Sequence, residues 1–182
     1  RENYNGSVNP IGIRSCYDEG KRIAETLCFD YKRIHNLEIR IVRIFNTYGP
    51  RMLENDGRVV SNFIVQALRN KNLTVYGEGT QTRSFCYVDD MIDGIIKIME
   101  GDFVGPVNIG NEEEISVKDL ALKIRDKINK NLEIIYKEIP KDDPLRRKPS
   151  LDIAREMYSW IPKTHLDLGL EKTISFFKNS MK

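Results

Sequence analysis

The stretch YDEGKRIAETLCFDYKRIHNLEIRIVRIF, residues 17–45, decides the fold class. Its first part carries apolar residues at the three- and four-residue spacing that predicts an amphipathic helix over residues 17–35. Its second part, residues 39–45, is rich in β-branched residues and predicts a buried strand. A helix followed by a buried strand is typical of an α/β protein. The apolar helical positions are Ile23, Ala24, Leu27, Cys28, Tyr31 and Ile34.

Further along the chain, short helical and strand patterns continue to alternate. Ser116 precedes Asp119 by three residues, which predicts an N-cap for a helix over residues 117–128. The charged, proline-bounded segment PKDDPLRRKPS, residues 140–150, is predicted to be a loop. The other predicted helices cover residues 59–70, 89–101, about 151–158 and 168–180; the other predicted strands lie within residues 73–77, 78–88, 106–111 and 132–139.

Composition limits the function classes. The 182 residues carry a net charge of only +2, which argues against a dedicated nucleic-acid binder and requires local arginines and lysines for any anion site. No apolar run approaches the roughly 20 residues of a membrane-spanning helix. Three cysteines without ligand spacing, and the adjacent Asp142 and Asp143 without a ligand cluster, predict no disulfide and no metal site. A reducing, cytoplasmic location fits best, with a Golgi-tethered form as the alternative if an anchor lies upstream.

Tyr17 and Lys21 are the first candidate catalytic pair. At positions i and i+4 of a helix, both side chains project from one face. An ammonium group beside a phenol favours the phenolate, which can act as a general base toward an alcohol. The same spacing also occurs on ordinary solvated helix faces, so the pair by itself leaves both interpretations open.

The longer segments around this pair resemble a known family. The quoted helix, followed by RIFNTYGPR at residues 43–51 and YGEGTQTRSFCYVDD at residues 76–90, resembles the extended short-chain dehydrogenase/reductases that act on nucleotide sugars. Within that family the chain resembles the UDP-glucuronate decarboxylases, and the similarity covers nearly all of it. The matching segments are VNPIGIRSCYDEGKR (8–22), DGRVVSNFI (56–64), LTVYGEGTQTRSF (73–85), PVNIGN (106–111) and DDPLRRKPSLDIA (142–154).

The resemblance implies the C-terminal part of a Rossmann-type doubly wound sheet plus a small α/β substrate-binding domain. Residues 1–48 are expected to complete the NAD-binding domain, and residues 49–182 mainly to bind the UDP-sugar, with helix 88–100 packing back on the first part. The glycine-rich GxxGxxG turn that holds the pyrophosphate of NAD does not occur in the chain. We therefore expect the downstream part of a longer protein, poor NAD binding by this chain alone, and no activity without the upstream part.

The resemblance also assigns roles to individual residues. Tyr17 is expected to be the proton acceptor and Lys21 to hold the nicotinamide ribose of the NAD cofactor. Arg147 is expected to act as an acid or charge stabiliser, although a solvated loop arginine is equally consistent with the sequence. Asn46 has an alternative as a turn residue before Gly49. The expected substrate-binding residues are Asn46, Arg58, Thr74, Val75, Tyr76 and Arg83.

The implied reaction converts UDP-glucuronate to UDP-xylose through a 4-keto sugar. A nucleotide-sugar 4-epimerase or 4,6-dehydratase is an alternative in the same family, and a non-catalytic UDP-sugar-binding fragment is an alternative of a different class. The resemblance further implies a homodimer through the helix of Tyr17 and Lys21. Ala24, Cys28 and Tyr31 are expected either in that interface or in the chain's own core.

Overall fold

The computed structural model describes residues 1–7, 9–138 and 145–181, which form six helices and nine short strands. The helices are α1 (Ser15–His35), α2 (Val59–Leu68), α3 (Val88–Glu100), α4 (Val117–Ile128), α5 (Asp152–Tyr158) and α6 (Leu166–Ser180). The strands are β1 (Val42–Ile44), β2 (Thr47–Tyr48), β3 (Leu73–Tyr76), β4 (Thr82–Ser84), β5 (Cys86–Tyr87), β6 (Val107–Ile109), β7 (Glu114–Ser116), β8 (Ile134–Lys137) and β9 (Arg146–Arg147).

Parallel pairing dominates the sheets. Strand β1 pairs with β6, β2 with β5, β3 with β8 and β4 with β9, all in parallel, while β4 and β7 are antiparallel. Parallel neighbours require crossover connections, and these contain the helices. The predicted α/β class is therefore confirmed.

Local sequence signals place the helices well. Helix α1 ends where Asn36 takes the left-handed conformation (φ 51°), which its short polar side chain tolerates. Helix α4 begins at the predicted cap, because the Ser116 hydroxyl accepts the Asp119 N–H at 2.9 Å. The predicted loop at residues 140–150 is wrong in part, since Arg146 and Arg147 form β9; residues 139–144, with Asp142 and Asp143, lie outside the described residues.

Two apolar clusters hold the described residues together. The larger one lies among α2, α4, α6 and β3, and includes the fully buried Phe63 and Phe177. The smaller one surrounds Trp160 where α3 and α5 pack on β6, and Val42 of β1 packs against it. Gly94 permits this contact, since a Cβ there would lie 2.9 Å from the Trp160 ring. The division into residues 1–48 and 49–182 stays a prediction.

Helix α1 differs from the other helices, because none of its residues is buried. Its apolar face is exposed: 53% of Ile23, 49% of Leu27 and 55% of Tyr31 are accessible. Ala24 and Cys28 are exposed as well. Within the described part of the chain, this face therefore does not belong to the core, and the helix is attached by polar contacts at its N-terminal half.

Candidate active site

A large open cleft of about 1440 Å³ runs along α1 and past the C-terminal end of β1 to the start of α2. It brings together side chains from distant parts of the sequence. The predicted site residues that line it are Tyr17, Lys21, Asn46, Arg58 and Arg147.

Tyr17 and Lys21 lie side by side on the cleft. The Lys21 ammonium nitrogen is 5.8 Å from the centre of the Tyr17 ring, as the i, i+4 spacing predicts. Both side chains are exposed, 56% in the case of Tyr17. The phenol and the ammonium group can thus reach a ligand together, and Asp18 and Glu25 on the same helix also line the cleft.

A bidentate ion pair attaches α1 to the sheet. The Arg43 guanidinium on β1 donates to both Glu25 carboxylate oxygens at 2.7 and 2.8 Å. Its third hydrogen bond goes to the backbone carbonyl of Glu2 at 2.9 Å. The hydrogen bond to Glu25 raises the pKa of Arg43 above its ordinary value, so this guanidinium stays charged. This contact fixes the middle of α1, between Lys21 and Cys28, against β1.

Cations outnumber acidic residues in the lining of the cleft. Seven of the described lining residues are positively charged and two are acidic, and ion pairs with Asp18, Glu19, Glu25, Asp56 and Asp102 offset part of the positive charge. Arg58, Arg147 and Lys21 were expected from the sequence. The structure adds Arg14, Arg22, Arg40 and Arg43. Arg14 could have been found from the sequence, because it precedes Tyr17 by three residues and shares its helical face. Such a surface suits a ligand with several negative charges.

Asn46 and Arg58 approach the cleft from two different loops. The Asn46 amide nitrogen donates to the Ser84 carbonyl at 3.3 Å, so part of its hydrogen-bonding capacity is structural. Arg58 stands at the N-cap position of α2 with its side chain 67% exposed, 3.7 Å from Asp56. A guanidinium at this position is available to an anion, together with the N-terminal end of the helix.

Arg147 and Arg83 are partners across β9 and β4. The two residues are in register in the parallel pair. Arg147 is half-buried and lines the cleft, whereas Arg83 is buried at 9% exposure and donates to the Thr82 carbonyl at 2.8 Å. Arg83 is not among the described lining residues, so its assignment to the substrate stays a prediction.

The remaining predicted substrate residues lie on β3. The Thr74 amide donates to the Gln66 side chain at 3.1 Å, and Val75 is fully buried in the larger core. Tyr76 is 46% exposed at the end of the strand. The structure does not bring these three side chains to the described lining of the cleft. Their role in binding a nucleotide stays a prediction.

Two buried titratable side chains, Cys86 and Tyr48, have raised pKa values. Burial raises the pKa of the Cys86 thiol to about 12, with a smaller contribution from Asp90. Burial likewise raises the pKa of Tyr48. These groups stay neutral and contribute to packing.

Over residues 1–7, 9–138 and 145–181, no cluster of three or more histidine, cysteine or acidic side chains could hold a metal ion. No helix built from those residues is long and apolar enough to cross a membrane.

The fold and the sequence place the chain in one protein family. The chain belongs to the NAD dependent epimerase/dehydratase family, whose model matches residues 2–110. The structure is similar to UDP-glucose 4-epimerase from Thermotoga maritima (TM-score 0.87, 27% identity, 98% of this chain and 60% of that one). It is also similar to UDP-glucuronic acid 4-epimerase from Bacillus cereus, solved with UDP-glucuronic acid and NAD (TM-score 0.85, 28% identity, 97% and 58%).

Several curated relatives with high sequence identity share one name. The chain is 60% identical to UDP-glucuronic acid decarboxylase 5 of Arabidopsis thaliana over 93% of its own length and 50% of that protein. It is 49% identical to UDP-glucuronic acid decarboxylase 1 of Xenopus tropicalis over 100% of its length and 43% of that protein. The resemblance read from the sequence is confirmed, and the chain spans about half the length of these curated relatives.

Proposed function

We propose that this chain carries the tyrosine–lysine part of the active site of an NAD-dependent UDP-glucuronate decarboxylase. The observation that carries the proposal is the meeting of Tyr17, Lys21 and Arg147 in one cationic cleft. The identity to named UDP-glucuronic acid decarboxylases supports it further. A ligand with a diphosphate and a carboxylate matches the positive charge of the cleft.

The residues present fit one end of the cofactor. Tyr17 and Lys21 present a hydroxyl and an ammonium group on the same face, which suits the hydroxyls of a ribose. The chain contains no glycine-rich turn for the pyrophosphate, so the other end would be held by residues outside it. When bound, NAD supplies the hydride acceptor, and later the hydride donor, for C4 of the sugar.

In the proposed mechanism, Tyr17 as phenolate removes the proton of the sugar 4-hydroxyl while C4 is oxidised to a ketone. Lys21 stabilises the phenolate and orients the ribose. The oxidised sugar is a β-keto acid, so the bond between C5 and the carboxylate can break with its electron pair moving toward the ketone. Carbon dioxide leaves, and a proton from solvent adds at C5. C4 is then reduced again while Tyr17 returns its proton to the oxygen on C4, which gives UDP-xylose. Arg147 stabilises the negative charge of the enolate that forms.

The remaining cations position the nucleotide. Arg58 at the start of α2 is placed to bind a phosphate oxygen, since a guanidinium binds such oxygens through two parallel N–H donors. We assign Asn46 to the sugar. Thr74, Val75, Tyr76 and Arg83 are assigned to the nucleotide by resemblance to the family. For Val75 the contact would have to come from its backbone, since its side chain is fully buried.

The exposed face of α1 supports assembly as a homodimer. Ala24, Cys28 and Tyr31 lie on a helix without any buried residue; Ala24 and Cys28 also line the cleft, and Tyr31 does not. Exposed apolar faces of this kind are usually covered by a partner. We propose that a second copy contributes to that cover. The molar mass in solution of the protein expressed from its complete coding sequence, measured by light scattering, tests the homodimer. A strictly monomeric protein would contradict the proposal.

The decisive experiment gives that same protein UDP-glucuronate and NAD and identifies the products. Carbon dioxide and UDP-xylose support a decarboxylase, UDP-galacturonate indicates a 4-epimerase, and the absence of any turnover favours a binding module. Tyr17→Phe should abolish turnover and leave UDP binding intact. Tyr136→Phe removes an exposed phenol on β8, outside the cleft lining, and should leave turnover unchanged. Full activity in Tyr17→Phe would refute the catalytic assignment.

A further inference from the structure

The small sheet ordered β7-β4-β9 carries Arg147 into the cleft, and its two faces have different chemistry. Successive side chains on a strand point to opposite faces. Arg146 pairs in register with Thr82, and Arg147 with Arg83. Arg146 and Thr82 therefore lie on one face of the sheet. Arg147 and Arg83 lie on the opposite face, from which Arg147 lines the cleft.

Glu114 on β7 organises the first of these faces. One of its carboxylate oxygens accepts hydrogen bonds from the Thr82 hydroxyl and from Arg146 Nε, both at 2.8 Å. The other oxygen accepts from Arg146 Nη2 at 2.5 Å and lies 3.9 Å from the Lys148 ammonium. The Glu114 side chain is only 19% exposed. One carboxylate thus links all three strands and pairs with the cations on both sides of Arg147.

Strand β9 needs such an anchor, because it is only two residues long. Its backbone pairing includes the bond from the Thr82 amide to the Leu145 carbonyl at 3.0 Å. So short a strand adds few ladder hydrogen bonds and gains little stability from pairing alone. After Arg147, the Leu151 amide donates to the Glu112 carboxylate at 3.1 Å. Glu112 and Glu114, which follow β6, therefore bind residues on both sides of Arg147: Leu151 after it and Arg146 before it.

We propose that Glu114 is a positioning residue for Arg147: by binding Arg146 and Thr82, it fixes β9 on β4 so that Arg147 faces the substrate. The inference rests on the proposed function of Arg147 in the cleft. It also assigns different roles to three consecutive cations, since Arg146 and Lys148 are paired with Glu114 while Arg147 serves the ligand. The hydrogen bond from Arg146 holds the pKa of Glu114 at about 2, so this carboxylate stays ionised under ordinary conditions.

The test is a double-mutant cycle in the protein expressed from its complete coding sequence. Glu114→Gln should lower kcat/KM for UDP-glucuronate by about ten- to hundredfold, as expected for a misplaced catalytic group. Arg147→Gln should lower it by at least about a hundredfold. In the Arg147→Gln background, Glu114→Gln should add less than about twofold, because both changes act through one guanidinium. Arg146→Gln, which removes the other half of the pair, should match Glu114→Gln.

A matched control and a second measurement separate positioning from general destabilisation. Glu171→Gln removes another ion pair, to Lys127 at 2.8 Å between α6 and α4, and should leave kcat/KM unchanged. Amide hydrogen exchange at Thr82 should become faster in Glu114→Gln and stay as in wild type in Glu171→Gln.

Two results would overturn the inference. The first is a Glu114→Gln variant whose kcat/KM equals that of an active wild type. The second is a Glu114→Gln change that lowers kcat/KM as much in the Arg147→Gln background as in wild type. If the wild type does not turn over UDP-glucuronate, the proposed function fails. The Thr82 exchange rate still decides whether Glu114 holds β9, and an unchanged rate would refute the inference by itself.

Discussion

The ion pair between Glu25 and Arg43, which attaches α1 to β1, is expected to stabilise the fold more than an exposed ion pair on the same helix. The helix has no buried residue, and its Glu25 accepts two hydrogen bonds from Arg43 on β1. Replacing Glu25 by glutamine preserves the length of the side chain but removes its charge and one of the two acceptor oxygens. A matched change exists on the same helix: Asp30→Asn removes the charge of an ion pair with Arg33.

The two changes should differ because their surroundings differ. The side chains of Arg43 and Glu25 are 27% and 30% exposed, whereas those of Arg33 and Asp30 are 64% and 41% exposed. A hydrogen bond to a charged group stabilises a folded protein by about 1.5–3 kcal/mol. Since glutamine can keep one of the two bonds and the pair is partly solvated, we expect Glu25→Gln to lower the free energy of unfolding by about 1–2 kcal/mol. Asp30→Asn should lower it by less than about 0.5 kcal/mol.

Urea denaturation of both variants, followed by circular dichroism at neutral pH, measures the difference. The Arg43→Gln variant serves as a check, because it removes the same pair from the other side and should be at least as destabilised as Glu25→Gln. Equal losses in Glu25→Gln and Asp30→Asn would refute the reasoning, since they would show that the bidentate pair contributes no more than an exposed one.

Two further outcomes follow from packing and from charge. Gly169→Ala should destabilise the protein by about 1–3 kcal/mol, because a Cβ there would lie 2.0 Å from the Tyr48 hydroxyl. Gly20→Ala in α1 should instead stabilise the protein by up to about 1 kcal/mol, because a Cβ there meets nothing within 4 Å. If both variants lost the same free energy of unfolding, this explanation would be contradicted. The pKa of Glu114 falls from 4.5 to about 2 on folding, so its stabilising contribution is complete above the unfolded value and is lost as pH falls toward the folded one. The urea midpoints of wild type and Glu114→Gln should therefore converge progressively below about pH 5, and a gap of constant size would exclude this linkage.

Much of the fold was predictable because helix signals are local. The apolar period around Leu27 and the cap at Ser116 each lie within a few residues, and the structure contains both helices. Strand β9 was missed because Arg146 and Arg147 carry no β-branched or apolar signal. They form a strand only through β4, more than sixty positions earlier in the chain, and through Glu114.

The candidate site divides in the same way. Tyr17 and Lys21 were predictable as neighbours, since the helical repeat alone places i and i+4 together. Their meeting with Arg147 depends on the chain path. The assignment of Thr74 and Val75 to the nucleotide, which the resemblance implied, stays a prediction; the structure shows Thr74 hydrogen-bonded to Gln66 and Val75 buried in the larger core.

By itself, the sequence determined the α/β class, the tyrosine–lysine pair and the likeness to nucleotide-sugar enzymes, because periodicity and motif spacing are properties of short segments. Only the tertiary structure decided which cations share the cleft with that pair, that Glu114 binds Arg146 on the far side of the small sheet, and that the apolar face of α1 stays exposed. These features depend on contacts between distant segments. A local residue pattern does not predict which strand pairs with which, or which residues pack against a helix.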